Sequence, residues 1–115
     1  LSQAYQVLKA NNFDSVFPIM EFSFPIQRAL KRGKKKEVFF ENPQYALTRS
    51  QDLPKRYHDA GQFYWLHCEK CIINKVLIGD NSGSIVIPSM QGQDIDNLED
   101  WKLAEIKFET LQNIK

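Results

Sequence analysis

The run QFYWL, residues 62–66, constrains the fold most. Three aromatic rings in five residues read as a strand, and CEKCIINKVL follows at once as a short helix, so the pair argues for an α/β unit. The flanking sequence agrees. Leu1, Ala4, Tyr5 and Leu8 recur at helical spacing until Asn11-Asn12 ends the pattern, so the chain opens on an amphipathic helix. DSVFPIMEF follows as a strand. Its Pro18 cannot donate to a ladder, which predicts a sheet edge, a bulge or a strand terminus, with the chain leaving the main sheet there. Towards the end, IGDNSG is a turn cluster, SIVIP a short buried strand, and DNLEDWKLAEIKFETLQ a closing helix with Trp101, Ala104, Phe108 and Leu111 on one stripe.

Between these parts the chain makes an excursion. SFPIQRAL and EVFF read as extended segments around KRGKKK, where Gly33 supplies the flexible turn position, and together they predict a protruding hairpin. From 41 to 61, Asn42-Pro43, Asp52, Pro54 and Asp59 break any periodicity. That predicts a long ordered loop, of the kind that serves function or an interface.

At 115 residues, 43% hydrophobic and 25% charged, the chain suits one globular domain or part of one. Fifteen basic and fourteen acidic residues leave a formal charge of +1, so no overall field draws it to nucleic acid or an anionic membrane. No run approaches the roughly 18 apolar residues of a spanning helix. The first residue is Leu1 rather than Met and lies inside a helix, so a preceding segment is expected.

Asp94 and Asp96 stand either side of Ile95 just before the closing helix. Two carboxylates on one face of an extended segment repel unless a cation, a proton or separate solvation relieves them, and hard oxygen ligands suit a divalent metal beside phosphates. The competing reading makes Asp96 the N-cap of the closing helix, with Glu99 completing a capping box. An EF-hand fails, because Glu99 stands where that loop needs glycine.

Cys68 and Cys71, with His67 before them, form a single CxxC. A structural zinc site needs two further ligands and only His58 and His67 exist, so the pair is expected as reduced, metal-free thiols turned to the core of a short helix. The basic run Lys31, Arg32, Lys34, Lys35, Lys36 has no glycine-rich cradle and no interleaved aromatics, which reads as a solvated hairpin tip. TRSQDLPKRYHDAGQFYW brings Arg49, Gln51, Gln62 and Tyr64 to one loop and its following strand. Arginine can grip a carboxylate or phosphate bidentately, and tyrosine can line a pocket while offering its hydroxyl.

FSFPIQRAL, TRSQDLPKRYHDAGQFYW and QDIDNLEDWKLAE, in that order and spanning roughly residues 13 to 105, resemble the C-terminal half of the nonulosonate cytidylyltransferases, with His58-Asp59 favouring the pseudaminate over the sialate branch. The resemblance implies a Rossmann-like three-layer α/β/α nucleotidyltransferase domain, residues 1–115 forming its C-terminal part, with residues about 22–58 as dimerisation arm and substrate loop. It implies transfer of CMP from CTP to a nine-carbon sugar acid with release of pyrophosphate. Asp94 and Asp96 would bind Mg²⁺ or Mn²⁺. Tyr64 would line the sugar pocket with Gln51 and Gln62, and Arg49 would meet an anionic group of the substrate. A cytoplasmic homodimer is expected, its arm exchanged between subunits, without nucleic acid or membrane. The family's glycine-rich nucleotide loop has no counterpart here, so half a catalytic domain is expected. A non-catalytic interaction or dimerisation module is the alternative.

Overall fold

The computed structural model describes residues 1–114; Lys115, the last residue of the expected domain, lies outside them. In chain order the elements are α1 (Ser2–Asn11), β1 (Ser15–Glu21), β2 (Leu30–Arg32), β3 (Val38–Phe40), β4 (Tyr57–Asp59), β5 (Trp65–Leu66), α2 (Cys68–Asn74), β6 (Ser82–Val86) and α3 (Leu98–Ile114), with 3-10 turns at Ile26–Arg28, Pro43–Tyr45, Ser50–Asp52 and Ser89–Gln91. The mixture is α/β, as the strand-then-helix pattern predicts. Residues Leu1–Met20 together with those from His58 onward form one compact unit, and Glu21–Tyr57 form a second.

In the first unit β1 is central. It pairs in parallel with β6, Ser15 to Ile19 opposite Ser82 to Val86, and antiparallel with β5 at Ser15–Leu66 and Val16–Trp65. Helix α1 lies over this sheet. Its apolar positions four apart, Ala4 and Leu8, close a core with Val16 and Ile85, to which Val7, Phe13, Phe63, Trp65 and Ile87 add partly buried surface. Each fully buried aliphatic side chain there contributes about 2 kcal/mol by leaving water. Asn12 stops the helix in the left-handed region at φ 54°, its N–H returned to the Leu8 carbonyl, which asparagine tolerates better than most residues. Gly83 leaves no room for a side chain: a Cβ added there would stand 2.4 Å from the Phe13 ring.

Several expectations need correction. Pro18 occupies the central strand and is buried, not at an edge. Its carbonyl accepts the Ala60 N–H at 3.1 Å, and since a residue's N–H and C=O point to the same side of a strand, the missing donor faces Ala60 just beyond the end of β4. The terminus that Pro18 marks is therefore its partner's. Only Trp65 and Leu66 of QFYWL form strand, because residues 61–64 stand opposite the single residue Phe17 and loop outward. The later strand begins at Ser82, two residues before the predicted SIVIP. In α3, Ala104 and Leu111 of the expected stripe seat the helix together with Lys107, while Trp101 and Phe108 remain more than half exposed.

The second unit holds the hairpin, β2 against β3 with Leu30 opposite Phe40 and Arg32 opposite Val38. SFPIQRAL is extended only in part, since Ile26–Arg28 curl into a 3-10 turn. Its tip closes with Gly33 N–H on the Glu37 carbonyl at 2.9 Å and Lys36 N–H on the Gly33 carbonyl at 3.1 Å. The left-handed residue of that tip is Lys36, φ 72°, and not Gly33. This is the three-residue hairpin loop whose last position normally takes glycine. Leu53 is buried, and Gln27 Nε2 donates to the Pro54 carbonyl at 3.0 Å to tie the two ends of the unit together.

Candidate functional site

In open α/β sheets ligands bind beyond the carboxyl ends of parallel strands. From that end of β6 the chain passes Pro88 and the turn Ser89–Gln91 into Gly92–Asp96, the acidic segment. Lys107 on α3 fixes this segment. Its Nζ donates to the Ser89 carbonyl at 3.0 Å, the Gly92 carbonyl at 2.9 Å and Gln93 Oε1 at 2.9 Å, which uses all three ammonium protons. Gly92 is buried, and a Cβ on it would meet Met20 Sδ at 2.6 Å and Gln62 Nε2 at 3.3 Å. Ile95 lines a groove with Trp101, Ala104 and Phe108, while Asp94 and Asp96 on either side of it are exposed.

The cap of α3 is not Asp96. Asn97 Oδ1 accepts the Asp100 N–H at 2.8 Å, and Asn97's carbonyl accepts the first helical N–H from Trp101 at 3.1 Å, so Asn97 is the N-cap. Asp100 rather than Glu99 reaches back, accepting the N–H of Asp96, the residue before the cap, at 3.0 Å. The cap is displaced by one residue because Asn97 is itself a good cap. Among the described residues no hydrogen bond or ion pair holds the side chain of Asp94 or Asp96. Both carboxylates therefore remain available as oxygen ligands.

Of the other expected residues, Gln62 reaches this segment and Tyr64 stands two residues further along the same loop. Gln62 Nε2 donates to the Gln91 carbonyl at 2.7 Å, joining the outward loop 61–64 to the turn that leads to Asp94. Tyr64 donates its hydroxyl to Asp59 Oδ2, and its ring packs on Phe17 at a centroid distance of 5.4 Å. Asp59 Oδ1 accepts the Gly61 N–H at 2.8 Å, an Asx-turn made possible by Gly61 at φ 69°. The hydrogen bond to Asp59 holds the Tyr64 phenol above the ordinary tyrosine range, with desolvation and the Asp59 charge adding to it. The sequence singles out Asp59 beside His58, but not its bonds to Gly61 and Tyr64. Lys107 was hidden, as one lysine of an amphipathic helix. The Asp-Ala-Gly triplet was the available signal for the bonds of Asp59.

Arg49 and Gln51 belong to the second unit. Both are exposed, at the turn Ser50–Asp52, where Arg49 Nε meets Asp52 Oδ2 at 3.1 Å. So open an ion pair contributes little, and another anion can displace it. A cavity of about 160 Å³ lies between Glu21–Gln27 and Ser50–Arg56 within this unit.

The thiols are free, and the short helix is where it was expected. Only Cys71 turns inward, donating to the Asp14 carbonyl at 3.3 Å; Cys68 is exposed, contrary to the core stripe expected, because α2 is half covered at most. Among the described residues no three His, Cys, Asp or Glu side chains gather as a metal set, so a metal at Asp94 and Asp96 would take its remaining ligands from elsewhere. No described helix is long and apolar enough to cross a membrane.

An α/β unit carrying an acidic segment beyond its parallel strands is similar in sequence to the cytidylyltransferases, which bears out the resemblance seen in the three sequence blocks. The relatives are two proteins named pseudaminic acid cytidylyltransferase from Campylobacter jejuni subsp. jejuni, serotypes O:2 and O:23/36, each 33% identical over 108 residues, 94% of this chain and 47% of the relative. A protein of Helicobacter pylori named pseudaminic acid cytidylyltransferase and UDP-2,4-diacetamido-2,4,6-trideoxy-beta-L-altropyranose hydrolase is 25% identical over 113 residues, 97% of this chain and 22% of that protein. The chain spans about half the length of the Campylobacter relatives. No family model matches it.

Proposed function

We propose that this chain is the C-terminal part of a cytidylyltransferase that transfers CMP from CTP to a nonulosonic acid such as pseudaminic or N-acetylneuraminic acid. The sugar's anomeric hydroxyl attacks the α-phosphorus of CTP; the new P–O bond forms as the bond to pyrophosphate breaks. The similarity over 94% of the chain to two proteins named for this activity carries the reading. The setting of Asp94 and Asp96 supports it, since Asn97 has taken the capping duty and leaves both carboxylates exposed.

The donor set fits Mg²⁺ or Mn²⁺: two hard carboxylate oxygens, with further ligands left to substrate phosphates and water, is the arrangement magnesium favours. When bound there, the ion supplies neutralising charge to the triphosphate. The chain's own contributions are positional. Lys107 holds the acidic segment against α3, Gln62 joins it to the loop carrying Tyr64, and Tyr64 offers its phenol to the sugar acid. On the second unit, Gln51 would contribute a substrate contact of its own, and Arg49 would exchange its bond to Asp52 for an anionic group of the substrate. The Rossmann-like three-layer domain would be completed by the length that the relatives have in addition. The second unit would act as an arm between two subunits, with Leu30, Val38 and Phe39 more than half exposed on the hairpin. Two free cysteines accord with a reducing, cytoplasmic setting.

The decisive experiment measures pyrophosphate release from CTP and a sugar acid by the intact enzyme carrying this segment. Asp94→Asn and Asp96→Asn are each expected to lower turnover by orders of magnitude while leaving folding intact. Parental activity of Asp94→Asn across a Mg²⁺ titration overturns the metal assignment. No CMP transfer by the intact parent enzyme favours the interaction module instead.

A further inference from the structure

The reading of Tyr64 as a pocket residue leaves open which kind of ligand atom it meets, and its surroundings bear on that. Asp59 is held at both oxygens: Oδ1 by the Gly61 N–H at 2.8 Å, Oδ2 by the Tyr64 hydroxyl. Gly61 makes the first bond possible by taking a left-handed φ of 69°, which turns its N–H back on the carboxylate two residues earlier. The Tyr64 ring is steadied from below by Phe17, itself buried in the central strand. A phenol carries one proton and two acceptor lone pairs. With the proton given to Asp59, the oxygen can only accept from anything else that approaches it.

We propose that Asp59 is a positioning residue that fixes Tyr64 as a hydrogen-bond acceptor, so that the substrate group read at this point is a donor, a sugar hydroxyl or an amide N–H. The inference rests on the reading that Tyr64 lines the sugar-acid pocket. It adds the direction of the bond and the residue that sets it. An ionised carboxylate accepts only, so Asp59 cannot reverse the bond, whereas an asparagine at 59 can. In Asp59→Asn, the amide oxygen still takes the Gly61 N–H and closes the turn. Its NH₂ then faces the phenol and donates to it, turning the Tyr64 proton outward against a donor ligand.

The test is a double-mutant cycle in the intact enzyme carrying this segment, with KM for the sugar acid and KM for CTP measured separately. Tyr64→Phe and Asp59→Asn are each expected to raise the sugar-acid KM about tenfold, the scale of one lost hydrogen bond, with the CTP KM unchanged. In the Tyr64→Phe background, Asp59→Asn is expected to add nothing further. A full additional effect there means Asp59 acts independently of Tyr64, and the proposal falls while the pocket reading stands. An unchanged sugar-acid KM in Tyr64→Phe removes the pocket reading, and the proposal with it. A second readout needs no substrate: the alkaline ultraviolet titration of the Tyr64 phenol, taken as the difference from Tyr64→Phe, is expected to move down in Asp59→Asn. No movement overturns the Asp59–Tyr64 bond itself.

Discussion

Asn97 and Asp96 show how a shift of one residue separates a structural role from an available ligand. Asn97 spends its side chain on the Asp100 N–H, so Asn97→Ala is expected to cost about 1 kcal/mol of stability in denaturant unfolding. Asp96→Ala is expected to change stability by less than about 0.5 kcal/mol, as for a surface substitution away from such features. Lys107 predicts the opposite behaviour from its exposed helical neighbours. Lys107→Met removes three donors from Ser89, Gly92 and Gln93, with an expected loss of about 1.5–3 kcal/mol, the scale for bonds made by a charged group. The Tyr64 phenol adds a dependence on pH. Its folded value is raised, so the folded state holds the proton more tightly. The stability this contributes is complete below the ordinary tyrosine range and is lost as the pH climbs from that range through the raised one. Alkaline unfolding of Tyr64→Phe is expected to lack that component. At this scale the sequence was legible where residue type alone decides, as with two adjacent carboxylates. It was not legible where two good caps compete, or where a lysine's three partners come from a distant turn.

Helices α1, α2 and α3 were legible as elements, since period and breakers are local: Asn11-Asn12 ends α1, and Lys75 closes α2 in the left-handed region at φ 55°. Strand lengths were not, because a strand exists only where a partner runs beside it, and QFYWL has one for just two residues. Phe13, in the turn between α1 and β1, lies tight against Gly83 of β6, and Gly83→Ala drives a methyl into its ring. An overpacking cost of about 1–3 kcal/mol is expected, read from the shift of the urea midpoint. The hairpin tip predicts a gain instead. Lys36 holds a left-handed conformation that costs a non-glycine residue about 1 kcal/mol, so Lys36→Gly is expected to tighten the β2–β3 pairing, seen as slower amide exchange across Lys31 and Phe39.

At the scale of the molecule, a chain with so many large apolar side chains in water calls for surfaces to cover them. On the hairpin, Leu30, Val38 and Phe39 are more than half exposed, and on α3 so are Leu98, Trp101, Ile106 and Phe108. If the hairpin joins two subunits, Val38→Glu with Phe39→Lys is expected to shift the intact enzyme from dimer to monomer in sedimentation at micromolar concentration. An unchanged sedimentation coefficient assigns the arm another role. Pro18 carries a separate consequence for the folding chain. Antiparallel pairing tends to propagate like a zip, and β1 has one open side that both β4 and β5 seek. A residue with an amide at 18 would let residues 61–64 zip onto β1 in a competing register, drawing Gly61, Gln62 and Tyr64 into the ladder and separating Tyr64 from Asp59. The proline halts the zip at Ala60 and keeps that register out of reach, so Pro18→Val is expected to refold more slowly and to lose protection of the Asp59–Tyr64 pair rather than gain a longer sheet.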